Sequence, residues 1–222
     1  MEPTPTFPGI EIFALPPSPT SPLLQPACAA FAFLVREFSN ELSALGVPLA
    51  SFQALEQELA ALPGRYAPHA HGALWLAVTA HAHNGADLSA PLARLPSLDL
   101  ACRGRFAVVG CLAARELGGG CGELKRMFVA REWRGRGVGG ALLREALAWA
   151  RASGRWRALA LDTLGRLPEA TRLYERAGFA RTAAYCENPM PDAIFLRLEL
   201  QAAAGALGEA LPDGRGEIVA PA

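Results

Sequence analysis

The spacing of apolar positions along the chain predicts four helices. Apolar residues recur at steps of three and four over residues 23–45, which is the period of an amphipathic helix. A second helix is expected after Ser51, a residue type that caps helix N-termini, and the clearest helical pattern covers 138–152. Pro168 suits the first turn of a fourth helix, which we expect to end near Arg176.

Short apolar runs bounded by turn residues predict the strands. We assign strands to residues 10–15, 73–80, 106–115, 123–129, 159–162, 179–186 and 193–200. Residues 81–104 have no clear period, and we expect them to form an inserted loop. The order of elements predicts one α/β (α+β) domain over 10–200, with a mixed, mostly antiparallel sheet of about seven strands and about four flanking helices. We expect 1–9 to be extended or disordered and the Ala/Gly-rich residues 201–222 to be a flexible tail.

Composition narrows the class of protein. Hydrophobic residues make up 51% of the chain and charged residues 19%, which supports a packed core. The formal net charge is zero, so we expect no nucleic-acid partner. Residues 1–8 lack the basic start and apolar run that are typical of a secretory leader, so we expect none there. No stretch of the sequence approaches eighteen uninterrupted apolar residues, so we expect no membrane span. The five cysteines form no C-x-x-C pair, which favours reduced thiols and a cytoplasmic location.

Histidines are weak candidates for a metal site. His69 and His71 precede a predicted strand, and His81 and His83 follow it. No acid or thiol lies in phase with either pair, so we expect solvated histidines and no metal.

The segment Arg134-Gly135-Arg136-Gly137-Val138-Gly139 is the most specific feature of the chain. Glycines let a ligand approach the backbone closely, and the free N–H groups at the start of the following helix attract an anion. On these residues alone, the interpretations are a dinucleotide-binding turn, a solvated glycine-rich turn and a coenzyme A cradle. A P-loop is excluded because no Gly-Lys-Ser/Thr follows.

Three segments in order resemble the GNAT superfamily of N-acetyltransferases. Arg134-x-x-Gly137-x-Gly139 matches its R/Q-x-x-G-x-G/A motif, residues 123–129 (ELKRMFV) resemble its fourth strand, and residues 173–179 (LYERAGF) resemble its L-Y-x-x-x-G-F segment. The resemblance implies a GNAT-like fold and acetyl-CoA as co-substrate. It also implies direct transfer of an acetyl group to a primary amine in a ternary complex.

The resemblance also implies roles for individual residues. Glu123 is the candidate general base and Tyr174 the candidate general acid. Residues of the glycine loop are expected to bind the pyrophosphate, and the main chain of the preceding strand is expected to form hydrogen bonds with the pantetheine arm. The implied coenzyme-binding residues are Met127, Phe128, Val129, Arg134, Gly135, Arg136, Gly137, Val138 and Gly139. Leu167 stands where many members have an asparagine that contacts the pantetheine arm, so the resemblance does not imply that contact for this chain.

The acceptor is predicted only by class. A small-molecule or peptide amine would enter near Tyr185, Glu187, Asn188 and Asp192, and a homodimer is compatible with the sequence. The alternative function is a non-catalytic acyl-CoA-binding sensor or interaction module on the same fold.

Overall fold

A computed structural model of the chain describes residues 9–15, 18–48, 54–80, 94–100 and 104–200. Its centre is an eight-stranded sheet with the order β1-β2-β4-β5-β6-β8-β7, and β3 pairs with β4 off this path. The strands are β1 Ile10–Ala14, β2 Ala73–Ala80, β3 Ser97–Leu100, β4 Gly104–Gly118, β5 Cys121–Val129, β6 Ala158–Leu164, β7 Ala180–Arg181 and β8 Ala193–Glu199. Among these strands, β5 and β6 form the one parallel pair, and the other pairs are antiparallel.

Four α-helices cover the sheet. They are α1 Leu24–Ala44, α2 Leu55–Ala60, α3 Val138–Ser153 and α4 Pro168–Arg176. Leu142 and Tyr174 place α3 and α4 in one apolar cluster, whereas Phe31 and Leu55 place α1 and α2 in another. The two clusters lie on opposite faces of the sheet, which we call the α3/α4 face and the α1/α2 face. The predicted α/β fold is confirmed, with eight strands where about seven were expected.

The predicted bounds agree at both ends for β2, and they lie within one residue of the structure for the two long helices. The second predicted helix begins at Leu55, and its expected cap, Ser51, lies outside the described residues. The terminal segments 1–8 and 201–222 are also outside the described part of the chain. None of the helices within the described residues is both long and apolar enough to traverse a bilayer.

The prediction of a loop over 81–104 was wrong at its C-terminal end. Ser97–Leu100 forms β3, and Leu98 and Leu100 are buried while Asp99 is exposed. That alternation is the period of a strand with one face on the core. Residues 81–93 lie outside the described residues.

The predicted strand over 179–186 is also shorter in the structure. Only Ala180–Arg181 pairs with β8, and the last ladder-like contact is the Thr182 N–H to the Phe195 carbonyl oxygen at 3.0 Å. The chain then leaves the edge of the sheet, which carries Tyr185 to the α1/α2 face. This departure matters for the site described next.

Candidate functional site

The parallel strands β5 and β6 separate partway along their length. They pair only over Cys121–Glu123 and Ala158–Ala160, and from Leu124 onward β5 has no described strand on its β6 side. A cleft of about 410 Å³ opens between them. Side chains from α1, the end of β6 and the start of α4 complete its walls. The cleft therefore connects the two faces of the sheet.

The glycine loop meets this cleft at Arg134, which is one of the residues that line it. Gly135 and Gly137 have φ angles of +72° and +76°, which L side chains adopt only at a cost. The Arg134 N–H donates to the Arg131 carbonyl oxygen, and the Ala141 N–H donates to the Gly137 carbonyl oxygen. The N–H groups of residues 135–139, which lie between Arg134 and Ala141 in the chain, donate to no acceptor within the described residues. These donors are the kind that an anion at a helix N-terminus accepts from.

The two arginines of the loop are held differently. The Arg134 Nε donates to the Val129 carbonyl oxygen at 2.9 Å, and its Nη2 pairs with the Glu41 carboxylate at 2.6 Å. This arginine thus ties the loop to α1 across the cleft. The Arg136 guanidinium lies over the Trp133 ring, 4.9 Å from its centroid, and is exposed. A charge-assisted contact with a bound anion is open to it.

Glu123 is buried on the α1/α2 face, not at a solvated strand end. Its side chain is 1% exposed. The Arg115 Nε and Nη2 both lie 2.6 Å from Oε2, the Tyr185 hydroxyl donates to Oε1 at 3.1 Å, and the Lys125 Nζ is 3.6 Å from Oε1. Burial and the neighbouring Glu123 charge raise the pKa of Tyr185, so that phenol stays a donor.

Tyr174 lies on the α3/α4 face of the cleft. Its side chain is buried, and its hydroxyl donates to the Met127 Sδ at 3.2 Å. Burial and the charge of Asp162 raise the pKa of Tyr174 above its ordinary value of 10. The phenol therefore stays protonated at neutral pH. The two candidate catalytic residues approach the cleft from opposite faces.

A buried charge cluster spans the point where the strands part. The Lys125 Nζ on β5 contacts the Asp162 Oδ1 on β6 at 2.9 Å, and the Asn188 amide donates to Oδ2 at 2.8 Å. Burial opposes the charge on Asp162, but Lys125 and the hydrogen bonds outweigh it and lower its pKa. Ligand atoms of Glu123, Asp162 and Cys186 lie within 4.8 Å of one another, yet the Lys125 ammonium already supplies the cation between the two carboxylates.

The predicted acceptor residues are only partly brought together. Tyr185 and Asn188 reach the cleft through their contacts with Glu123 and Asp162. Asp192 instead forms a bidentate pair with Arg166, at 2.8 Å for each oxygen, and Glu187 is exposed. Neither of these two carboxylates faces the charge cluster through a described contact.

Sequence reasoning missed three residues of this site. Arg115 and Asp162 neutralise and position the groups around Glu123, and Arg166 donates from the cleft wall to the Leu45 carbonyl oxygen at 2.7 Å. For Arg115 and Asp162 the signal in the sequence was a charge within a mainly apolar strand, as at Asp162 in ALALDTL. Arg166 lies in the turn after β6 and had no such signal. Leu167, the departure from the family pattern, lines the cleft and packs against an apolar cluster that contains Leu164.

Comparison with known proteins agrees with this geometry. The profile of the Acetyltransferase (GNAT) family matches residues 65–179. A Schizosaccharomyces pombe protein described as an uncharacterised N-acetyltransferase is 32% identical over 171 residues, covering 77% of this chain and 86% of that protein.

Solved structures show the same fold. An acetyltransferase of the GNAT family from Staphylococcus aureus Mu50 superposes with a TM-score of 0.60 at 16% identity, over 86% of this chain and 99% of that one. An acetyltransferase from Streptococcus agalactiae 2603 superposes with a TM-score of 0.58 at 20% identity, over 87% of this chain and 100% of that one. The chain belongs to the GNAT family of acetyltransferases.

Proposed function

We propose that the protein transfers an acetyl group from acetyl-CoA to a primary amine by direct attack in a ternary complex. The observation that carries the proposal is the cleft between β5 and β6. It is lined by Tyr174 and by Arg134, the residue that begins the glycine loop and its unpaired backbone donors. Glu123 lies 3.6 Å from the Nζ of Lys125, which also lines the cleft. A cytoplasmic location belongs to the same proposal, supported by the free thiols of the described cysteines.

Coenzyme binding in this proposal uses the glycine loop and the open edge of β5. The N–H groups of residues 135–139 and the Arg136 side chain would receive the pyrophosphate. The main chain of Met127, Phe128 and Val129 would pair with the pantetheine arm. The Arg134 Nε already donates to the Val129 carbonyl oxygen. The pantetheine arm must therefore displace this hydrogen bond, or it must pair with Met127 and Phe128 only.

Chemistry would then take place where the strands part. The amine enters from the α1/α2 face and loses a proton to Glu123, directly or through water. Its nitrogen forms a bond to the thioester carbon, and the C–S bond breaks. The thiolate leaves toward the α3/α4 face, where Tyr174 donates a proton. Holding both reactants in line supplies much of the rate gain, and a positioned base adds roughly 10²–10⁴-fold.

One observation favours the alternative, a non-catalytic acyl-CoA-binding module. Both carboxylate oxygens of Glu123 are engaged, by Arg115 and by Tyr185, so the base must release a partner to accept a proton. Thiol release during incubation with acetyl-CoA and a panel of primary amines separates the two functions. Transfer predicts release that depends on the amine, and the binding module predicts binding without release.

Calorimetric titration with acetyl-CoA tests the proposal itself. A Cβ at Gly139 would lie 3.3 Å from both Leu173 Cδ2 and Met127 Cε, while one at Gly140 would meet only the flexible end of Arg144 at 3.7 Å. The neighbours of a Cβ at Gly139 must give by a few tenths of an ångström, which displaces the N–H donors at the start of the helix. We therefore expect Gly139→Ala to bind acetyl-CoA more weakly than wild type, and Gly140→Ala, the matched control, to bind it as wild type does. Absence of binding at about 1 mM acetyl-CoA, some 4 kcal/mol of affinity, would remove the donor site.

A further inference from the structure

Arg126 has an unusual backbone in the middle of β5. Its φ is +58°, one of three positive values for non-glycine residues within the described ranges. The register of β4 against β5 shifts between Cys111 and Ala113, opposite this residue. Such a β-bulge leaves two consecutive residues of one strand opposite a single partner. A left-handed arginine is costly and persists only where its surroundings hold it.

The bulge changes which face each side chain of β5 occupies. Leu124 packs on the α3/α4 face, and Lys125 joins Glu123 on the α1/α2 face. Strict alternation would return Arg126 to the apolar α3/α4 face. Instead its guanidinium lies on the α1/α2 face, where it pairs with Glu58 of α2. Met127 then occupies the α3/α4 face and contacts Tyr174.

The Arg126 side chain is anchored on α2. Its Nε donates to the Glu58 Oε1 at 2.8 Å and its Nη2 to Oε2 at 2.9 Å, a bidentate pair in which the arginine side chain is 3% exposed. Tyr66 also donates to the Glu58 Oε1, at 2.9 Å. Burial opposes the charge on Glu58, but the bonds from Arg126 outweigh it and lower its pKa. The carboxylate is therefore charged and available to hold the arginine.

From this geometry we propose that Glu58 and Arg126 are positioning residues for the transferase site. The pair holds residue 126 in the left-handed conformation and so sets the faces on which Met127 and Phe128 lie. Met127 seats the Tyr174 hydroxyl, and Phe128 contacts Phe38 of α1 at 5.8 Å between ring centroids. A slip of one residue would exchange these two side chains between the faces. The inference rests on the proposed function for its effect on turnover, but not for its effect on structure.

The test compares glycine with alanine at position 126 after the ion pair has been removed. In Glu58→Gln/Arg126→Gly the backbone keeps its conformation without a side-chain anchor, because glycine adopts positive φ freely. In Glu58→Gln/Arg126→Ala the same charges are absent, but the left-handed penalty remains. The glutamine retains an oxygen for the Tyr66 hydroxyl. We expect kcat of the glycine variant to exceed that of the alanine variant by about tenfold.

His71 provides the matched control. Its φ of +59° gives it the same left-handed backbone strain as Arg126, but it lies away from the cleft. His71→Gly should raise the melting temperature without changing kcat. An equal effect of His71→Gly on kcat would overturn the inference. So would equal kcat for the glycine and alanine variants at position 126.

A second readout needs no turnover. The chain has three methionines, so methyl-labelled methionine gives three NMR signals, and Met127→Leu assigns one of them. The Met127 methyl shift should match wild type in the glycine double variant and move in the alanine double variant. Unchanged shifts in both variants would refute the positioning role. A wild-type protein that binds no acetyl-CoA but shows the expected NMR contrast would refute the proposed function alone.

Discussion

Replacing Glu123 by glutamine removes one charge and leaves the shape of the side chain. In the wild-type structure this carboxylate is 1% exposed and accepts from Arg115 and Tyr185, with Lys125 3.6 Å away. An amide in its place retains one oxygen acceptor but presents an NH₂ group to part of the cationic surroundings. The Arg115 guanidinium, 17% exposed, then loses the carboxylate with which it is paired.

The size of the effect follows from burial. Removing one partner of a buried ion pair costs about 3–5 kcal/mol, and the residual exposure of Arg115 places this case near the lower end, about 3 kcal/mol. For a domain of this size each kcal/mol shifts the melting temperature by about 2–4 °C, so we expect a fall of about 6–12 °C. If Glu123 is also the base, kcat falls by roughly 10²–10⁴-fold.

Differential scanning calorimetry and thiol-release kinetics measure the two effects separately. The control is Glu56→Gln, which makes the same substitution in an ion pair with Arg36 whose side chains are 65% and 51% exposed. An ion pair this exposed to solvent contributes little to stability, so the melting temperature of Glu56→Gln should stay close to that of wild type. In Arg115→Met/Glu123→Gln both buried charges are gone, so most of the lost melting temperature should return while kcat stays low.

Two results would refute this reasoning, each at a different step. A melting temperature for Glu123→Gln as close to wild type as that of Glu56→Gln would show that the burial argument is wrong. Recovery of kcat together with stability in the Arg115→Met/Glu123→Gln variant would show that Glu123 supports the structure and is not the base.

Three further predictions concern packing, the acid and pH. A Cβ at Gly122 would stand 2.2 Å from Cε3 of the buried Trp156 ring, so Gly122→Ala should lower the melting temperature, by overpacking of about 1–3 kcal/mol or more; an unchanged melting curve would contradict this. Tyr174→Phe should lower kcat by roughly 10²-fold with little change in acetyl-CoA affinity measured by titration, and an unchanged kcat would remove the acid role. Hydrogen bonds from Arg166 lower the pKa of Asp192 to about 2 from 3.8, so its stabilising contribution is present above pH 3.8 and is lost as pH falls toward 2. Over that range the melting temperature of wild type should fall more than that of Asp192→Asn, and parallel curves would contradict the assignment.

The fold could be predicted where an element is long and its ends are marked. Helices α1 and α3 carry several turns of apolar periodicity, and Gly46 and Gly154 mark their ends, so their bounds were found to within one residue. By contrast, β3 has four residues, of which Leu98 and Leu100 alone carry the strand period. A pattern of two positions cannot be told from chance, and only pairing with β4 makes this segment a strand.

Some parts of the candidate site could likewise be predicted from the sequence, and others could not. The backbone conformation of the glycine loop could be predicted, because its residues are contiguous in the sequence and the freedom that glycine gives the backbone is local. The partners of Glu123 could not, since Tyr185 lies 62 residues away and reaches it only because β7 ends after two residues. Arg115 lies directly across from Glu123 in the ladder, but two register shifts between β4 and β5 hide this pairing from the sequence. Long-range register is a property of the folded sheet.

One irregularity of the site did have a signal in the sequence. Lys125 and Arg126 are adjacent charges between Leu124 and Met127, in a strand whose neighbours are apolar. Strict alternation would bury one of the two charges in the α3/α4 face, which costs several kcal/mol without a partner. A bulge lets both charges point to the α1/α2 face, where Asp162 and Glu58 pair with them. It leaves Leu124 and Met127 on the α3/α4 face. Two consecutive charges within an apolar strand therefore predict a bulge, and in this chain the bulge is what brings Met127 to the Tyr174 hydroxyl.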